Sequence, residues 1–188
     1  MPSDCKHTLS VFCASSPEVD NKYKQAAYDI GRFCAQQGWN LVTGAGAEGL
    51  MGAAADGCEA EGGHTIGIIP RWMVERGWLR PNLSETILTD TMAERKQLLR
   101  DKCDAVIVLP GGYGTMEEFF ETVTAKQLGL FPKPIVLLNQ DGYYNSIDQW
   151  KQTCYEERFV RRESDLHLWQ TIKSPSELFP LLETLCGN

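Results

Sequence analysis

The sequence predicts an α/β fold of three layers, in which a mainly parallel sheet has helices on both faces. Two observations lead to this prediction. Short apolar runs, mostly β-branched, alternate with segments of helical periodicity along the whole chain. The runs AVIVL at 105–109 and PIVLL at 134–138 are apolar on both sides, which is typical of parallel strands covered by two helical layers.

The strands are predicted first, from the apolar runs in chain order. Each run has the length of a strand and is followed by glycine, proline or a polar segment. The six predicted strands are 8–13, 39–43, 65–69, 86–89, 105–109 and 135–138.

Helices are predicted between the strands. Apolar residues from 23 to 34 recur at helical spacing and stop before Gly38. Further helices are expected after the glycine-rich loop at 44–49, over 91–102, and from 116 to a stop near Gly129. A last helix, opened by Ser174 and Pro175, has leucines at helical spacing.

Length and charge limit the classes of protein that remain. A chain of 188 residues predicts one domain over 1–188. Eighteen basic against 25 acidic residues give a net charge of -7, which excludes a general nucleic-acid binder. The N-terminal region has no signal-peptide pattern and no run of about 18 apolar residues occurs, so we expect no membrane partner and a cytoplasmic location.

Cysteine and histidine usage predicts reduced thiols and no metal site. The seven cysteines are scattered without a CxxC pair, and the three histidines are far apart in sequence. These residues are Cys5, Cys13, Cys34, Cys58, Cys103, Cys154 and Cys186, with His7, His64 and His167.

The loop GAGAEG fits the dinucleotide pattern GxGxxG through Gly44, Gly46 and Gly49. It follows the second predicted strand instead of the first, and the acidic residue expected after the next strand is replaced by Pro70 and Arg71. An NADP site using Arg71 remains open. The alternative is that these glycines allow a tight turn and close contact between helix and strand.

The loop PGGYGTMEE at 110–118 predicts an anion site. Gly111, Gly112 and Gly114 free the backbone to direct several N–H groups at one ligand, next to the start of a helix. The Thr115 hydroxyl is a further donor to phosphate. The alternative is a capping box, because Thr115 and Glu118 have its T-x-x-E spacing.

The helix at 91–102 brings basic residues toward this loop. Arg95 shares its face with Met92 and Leu99, so it is expected to point into packed structure and to require an anion or Glu118 as partner. Lys96 is expected on a solvated face.

Four ordered motifs resemble one family. PGGYGTMEE resembles the PGGxGTxxE signature of the "lonely guy" (LOG) phosphoribohydrolases, which are often mislabelled lysine decarboxylases, and MAERK resembles the MxxRK element before it. FCASS at 12–16 is similar to FCGSS, and GAGAEGLMG at 44–52 to GGGxxGLMG. The resemblance covers about residues 8–150. Ala14 and Ala45 replace family glycines, and the segment between Arg71 and Thr91 is longer and more aromatic than expected.

The resemblance implies a Rossmann-like homodimer without a cofactor. Its reaction is hydrolysis of the N-glycosidic bond of a cytokinin or purine nucleoside 5′-monophosphate, such as AMP, to free base and ribose 5-phosphate. Arg95 and Glu118 match the catalytic pair. The residues expected to bind substrate are Ser16, Gly44, Gly46, Lys96, Gly111, Gly112, Tyr113, Gly114, Thr115, Met116, Glu117 and Thr124.

The chemistry of the pair gives Glu118 the central role. Cleavage of a glycosidic bond builds positive charge on the ribose, which a carboxylate near C1′ stabilises. Arg95 is expected to keep Glu118 ionised, and Glu117 is the reserve carboxylate. Two other classes remain open at this point. They are a non-catalytic carrier of a nucleotide or of the molybdenum cofactor, and an NADP-binding protein.

Overall fold

The computed structural model describes residues 7–161 and 168–186, with the side chain of Cys186 outside that description. Seven strands form a single sheet. In chain order they are β1 (His7–Phe12), β2 (Trp39–Thr43), β3 (Thr65–Pro70), β4 (Glu85–Thr89), β5 (Ala105–Val108), β6 (Ile135–Leu138) and β7 (Gln170–Ile172).

In the described part of the chain, seven α-helices lie between and after these strands. They are α1 (Asn21–Gln36), α2 (Gly49–Ala60), α3 (Arg71–Glu75), α4 (Met92–Asp101), α5 (Tyr113–Gln127), α6 (Asn145–Glu156) and α7 (Leu178–Cys186). Two short 3₁₀ turns, at 140–142 and 175–177, precede α6 and α7.

The sheet is parallel and has the order β4-β3-β2-β1-β5-β6-β7. The chain first winds outward from β1 to β4 and then returns to place β5 on the other side of β1. In such sheets ligands bind beyond the carboxyl ends of the strands where the winding direction switches. That point lies between β1 and β5, and the predicted anion loop directly follows β5.

The helices form two layers, which confirms the predicted three-layer arrangement. One apolar core joins β1, β2 and β5 to α1, α2 and α7 through residues such as Leu9, Ile30 and Leu182. The other joins the opposite face to α4, α5 and α6 through residues such as Leu99 and Phe119. Successive strand side chains alternate between these cores because neighbouring residues of a strand face opposite sides.

The six predicted strands are all present, with ends shifted by no more than one residue. The sequence did not predict β7, α3 and α6. The three-residue β7 lacks an apolar run, and it pairs with β6 at the edge of the sheet, where Leu137 lies opposite Thr171. The sequence of α6 is mainly polar and buries Cys154 alone among its residues, so its helical periodicity is weak.

The described cysteines are free thiols, all buried: Cys13, Cys34, Cys58, Cys103 and Cys154. Cys5, the Cys186 side chain and His167 lie outside the described residues. Within the described ranges, no group of three or more His, Cys, Asp or Glu side chains is arranged to hold a metal ion. No described helix combines the length and the apolar character needed to cross a bilayer.

We expect Gly49→Ala to destabilise the fold more than Gly62→Ala. Both glycines have positive φ, +62° and +71°, which costs an alanine about 1 kcal/mol. A Cβ on Gly49 would also lie 2.6 Å from the Ser15 carbonyl carbon, whereas one on Gly62 meets open space. Urea denaturation should therefore show a loss of about 1 kcal/mol for Gly62→Ala and at least about twice that for Gly49→Ala. Equal losses would contradict the tight contact at Gly49.

Candidate active site

Four loops meet at the carboxyl edge of the sheet. The loop after β1 is tied to the loop after β5, since Ala14 N donates to Pro110 O at 3.4 Å. It is also tied to the start of α2, since Leu50 N donates to Ala14 O at 2.9 Å. The loop after β2 is joined to the loop between α3 and β4 by a bridge between Gly46 and Leu79. Motifs far apart in the sequence are thereby brought into one site.

Arg95 is buried in the middle of this edge. Its helix, α4, begins with a capping box formed by Thr91 and Glu94, which fixes where the first turn starts. The Arg95 guanidinium donates from Nε to Ile68 O at 3.0 Å and from Nη2 to Gly44 O at 2.9 Å. The prediction that Arg95 points into packed structure is confirmed.

Gly44 is required for this arrangement. A Cβ on Gly44 would overlap Nη2 of Arg95. Gly46 is less restricted, because its Cβ would lie 3.1 Å from the flexible sulfur of Met51. Ala45 between them has a φ of +61°, so this alanine occupies a left-handed conformation that favours glycine.

Glu118 is the carboxylate partner of Arg95. Its Oε1 lies 3.6 Å from Nη1 of Arg95, and its side chain is 11% exposed. Burial raises the pKa of Glu118 to about 7, because the loss of hydration outweighs the lowering by Arg95. Arg95 lowers the Glu118 pKa in the expected direction, but the effect of burial is larger. Near neutral pH, Glu118 is divided between its two protonation states.

The helix after the glycine loop begins before Thr115, whereas the capping-box alternative requires Thr115 to be its N-cap. Helix α5 begins at Tyr113 with Gly112 as its N-cap, and no side chain caps it. Thr115 and Glu118 therefore lie inside the helix, and the capping-box alternative is wrong. The N–H groups of the first turn precede the first bond of the helix, from Met116 N to Gly112 O, so they have no acceptor within it.

The glycines of this loop have different surroundings. A Cβ on Gly111 would overlap the Thr115 hydroxyl, which explains why Thr115 is buried against it. A Cβ on Gly112 or Gly114 would meet open space. The backbone at these two positions is therefore accessible to a ligand, as an anion site at a helix N-terminus requires.

The predicted substrate residues separate into three places. Arg95 contacts Gly44, with Gly46 two residues further along the same loop. A shallow groove of about 550 Å³ is lined by Phe120, Glu121 and five of the predicted residues. These five are Lys96, Tyr113, Met116, Glu117 and Thr124. A smaller cavity of about 210 Å³ contains Ser16, Gly111 and Gly112 in its wall, beside the switch point.

Lys96 differs from its expected position on a solvated face. Its side chain is 15% exposed and forms ion pairs with Glu117 at 2.7 Å and with Glu121 at 3.0 Å. These carboxylates raise the pKa of Lys96 through hydrogen bonds. Glu117, the reserve carboxylate, is thus engaged with Lys96, whereas Glu118 faces the buried arginine.

Comparison with known proteins identifies the family of this chain. The family model described as "Possible lysine decarboxylase" matches residues 51–182. The chain belongs to this family. A relative from Mycobacterium tuberculosis, named cytokinin riboside 5′-monophosphate phosphoribohydrolase, is 43% identical over 153 residues, which is 81% of either chain. An Arabidopsis thaliana protein of the same name is 40% identical over 152 residues, 81% of this chain and 71% of that protein.

Solved structures support the fold. The molybdenum cofactor binding protein of Rippkaea orientalis has a TM-score of 0.73 at 23% identity, covering 96% of this chain and 97% of that one. A molybdenum cofactor carrier protein of Chlamydomonas reinhardtii has a TM-score of 0.72 at 20% identity, covering 96% and 98%. At these identities the likeness establishes the Rossmann-like fold of the family and nothing about a ligand.

Several contacts of the site were not predicted from sequence. The acceptors of Arg95 are the backbone carbonyls of Gly44 and Ile68, and backbone acceptors leave no signal in side-chain patterns. Tyr143, whose hydroxyl donates to Gly111 O at 2.9 Å, lies outside the motifs from which the site residues were predicted. Arg71, the candidate for an NADP phosphate, instead donates from Nε to Asp90 at 3.1 Å.

Proposed function

We propose that this protein hydrolyses the N-glycosidic bond of a nucleoside 5′-monophosphate, releasing the free base and ribose 5-phosphate. The main support is the buried pair of Arg95 and Glu118, whose charged groups are 3.6 Å apart. The pair lies beside the start of α5, where the N–H groups of the first turn are free to bind an anion. A site that bound phosphate alone would have no use for a buried carboxylate. The names of the relatives from Mycobacterium tuberculosis and Arabidopsis thaliana support this reaction, and purine or cytokinin nucleotides are the proposed substrates.

The phosphate and the reacting bond are assigned to different parts of the site. The N–H groups at the start of α5, with Thr115, bind the 5′-phosphate because the positive end of the helix dipole favours an anion there. Ser16, at the wall of the adjoining cavity, is positioned to contribute a hydroxyl. The residues of the shallow groove, including Met116 and Thr124, bind the remainder of the nucleotide. The reaction needs water and no cofactor.

Glu118 acts on the bond between C1′ and the base nitrogen. As that bond breaks, its electron pair leaves with the base, and the ionised carboxylate stabilises the positive charge that develops at C1′. Water then adds to C1′ and gives a proton to Glu118, which passes it to the departing base. A group with a pKa of about 7 can accept and release this proton near neutral pH.

Arg95 offsets the repulsion between Glu118 and the substrate phosphate. A buried guanidinium is rigid here, because two carbonyls and one carboxylate hold it. Arg95 therefore presents positive charge without the need to reorganise when the substrate binds.

The protein is further proposed to be a cytoplasmic homodimer with no nucleic-acid partner. Tyr113 is 97% exposed, and Leu130 at 76% and Leu128 at 67% leave apolar surface uncovered beyond the other end of α5. A second copy that packs against either end of α5 would bury apolar surface there, and the sedimentation coefficient at micromolar concentration distinguishes a dimer from a monomer. The free, buried state of the five described thiols and the net charge of -7 support a reducing compartment and the absence of a polyanion partner.

Incubation with AMP or with isopentenyladenosine monophosphate should release the base and ribose 5-phosphate. Glu118→Gln should reduce kcat at least about 100-fold, because the amide keeps the shape of the side chain but cannot stabilise positive charge or carry the proton. Chromatography of the base and a coupled assay of ribose 5-phosphate measure both products.

Glu156→Gln is the matched control for the loss of one carboxylate on a helix. Glu156 lies in α6 and accepts a hydrogen bond from Gln152 at 2.8 Å. This variant should keep wild-type turnover. Absence of base release from every purine nucleotide by the wild type would overturn the proposed reaction, and full activity of Glu118→Gln would overturn the role of Glu118.

The rate should depend on pH through Glu118. We expect kcat/KM to rise with pH and to reach half its plateau near pH 7, because the ionised form of a group with a pKa of about 7 is the active one.

Gly44→Ala should move this rising limb of the pH profile to higher pH, since displacing Arg95 removes the charge that lowers the Glu118 pKa. Gly46→Ala should leave the limb in place. A limb that stays fixed in Gly44→Ala would instead belong to the substrate phosphate, whose second pKa is about 6.

A further inference from the structure

The glycine loop is held by two consecutive tyrosines of the turn between β6 and α6. The Tyr143 hydroxyl donates to Gly111 O at 2.9 Å, and the Tyr144 hydroxyl donates to Leu109 O at 2.8 Å. The two carbonyls flank Pro110. The loop is therefore fixed on both sides of its proline, and Tyr143 lies with Gly111 and Gly112 in the wall of the cavity of about 210 Å³.

The bond from Tyr143 acts directly on the geometry of the anion site. The carbonyl of Gly111 and the N–H of Gly112 belong to one planar trans peptide, so they point in opposite directions. Holding the carbonyl toward Tyr143 therefore directs the Gly112 N–H away from it. Gly112 has open space around its Cα and no side chain to fix its own conformation, so an external contact is needed to restrict this peptide.

Tyr143 is itself held in position. Its ring packs edge-on against Tyr23 of α1, with the ring centroids 5.8 Å apart. The turn before it is joined to the start of α1 by an ion pair of 2.8 Å between Lys22 and Asp141. Asp141 and Gly142 both have positive φ, +52° and +75°, and this left-handed turn brings the tyrosines back toward the end of β5. The hydroxyl is thus supplied by a prearranged element.

We propose that Tyr143 is a positioning residue of the anion site. Its hydroxyl fixes the peptide between Gly111 and Gly112, so that the Gly112 N–H joins the free N–H groups of the first turn of α5 in binding the phosphate. Tyr143 takes no part in bond cleavage. The inference rests on the proposed function for the identity of the anion, a sugar 5′-phosphate.

Tyr143→Phe tests this role, since it removes the hydroxyl and keeps the ring against Tyr23. Calorimetric titration with ribose 5-phosphate should give a Kd about fivefold higher than for the wild type, the loss expected for one neutral hydrogen bond. The KM for the nucleotide should rise by the same factor, while kcat stays within about twofold. Inhibition by free adenine, which has no phosphate, should be unchanged.

Tyr28→Phe is the matched control, because Tyr28 lies in α1 with its backbone carbonyl facing Gly57 of α2, away from the glycine loop. Its Kd for ribose 5-phosphate should equal that of the wild type. A wild-type Kd in Tyr143→Phe, or equal weakening of ribose 5-phosphate and adenine, would overturn the positioning role. A wild type that binds ribose 5-phosphate without hydrolysing nucleotides would overturn the proposed function alone, since the titration still tests Tyr143. A wild type that hydrolyses nucleotides but does not bind ribose 5-phosphate would overturn the positioning role alone.

Discussion

The buried charge of Arg95 is the constraint on which the rest of the site depends. Removing a guanidinium from water costs several kcal/mol unless its hydrogens find acceptors. Here Ile68 and Gly44 supply carbonyls from the ends of two neighbouring strands, and Glu118 supplies the opposite charge from α5. One side chain therefore ties α4 to β3, to the loop after β2 and to α5. The position of each of these elements is set by the same group that the proposed chemistry needs.

The same burial makes Glu118 a weaker acid than a carboxyl group in water. In water, a carboxylate beside an arginine would be ionised throughout the neutral range. Enclosed with Arg95, it loses more from dehydration than it gains from the positive charge, and its pKa rises to about 7. A rigid, nearly dry ion pair can thus place a proton-transferring group at physiological pH without a histidine. The neighbouring residue Lys96 differs from Arg95. Burial lowers the pKa of Arg95, whereas hydrogen bonds to more exposed carboxylates raise the pKa of Lys96.

The glycines of the two loops have different physical roles although their motifs look alike. Gly44 leaves room for Arg95, Gly111 leaves room for Thr115, and Gly49 combines a positive φ with close contact to the loop after β1. Gly112 and Gly114 leave backbone open toward a ligand. The GxGxxG pattern in the first loop thus serves packing and the placement of an arginine, which is why this pattern by itself was a poor guide to a dinucleotide.

Sequence alone determined six of the seven described strands and five of the seven described α-helices in their order, the two covered faces of the sheet, and the residues around which the site is built. Apolar runs such as AVIVL report burial directly, and the spacing of Met92, Arg95 and Leu99 already placed the arginine on the inner face of its helix. The order β4-β3-β2-β1-β5-β6-β7 was decided by tertiary structure, as were the carbonyl partners of Arg95 and the hydrogen bond from Tyr143 to Gly111. So was the sign of the Glu118 pKa shift. These features depend on backbone atoms and on the balance of hydration against charge in three dimensions, and neither is written in the pattern of side chains along the chain.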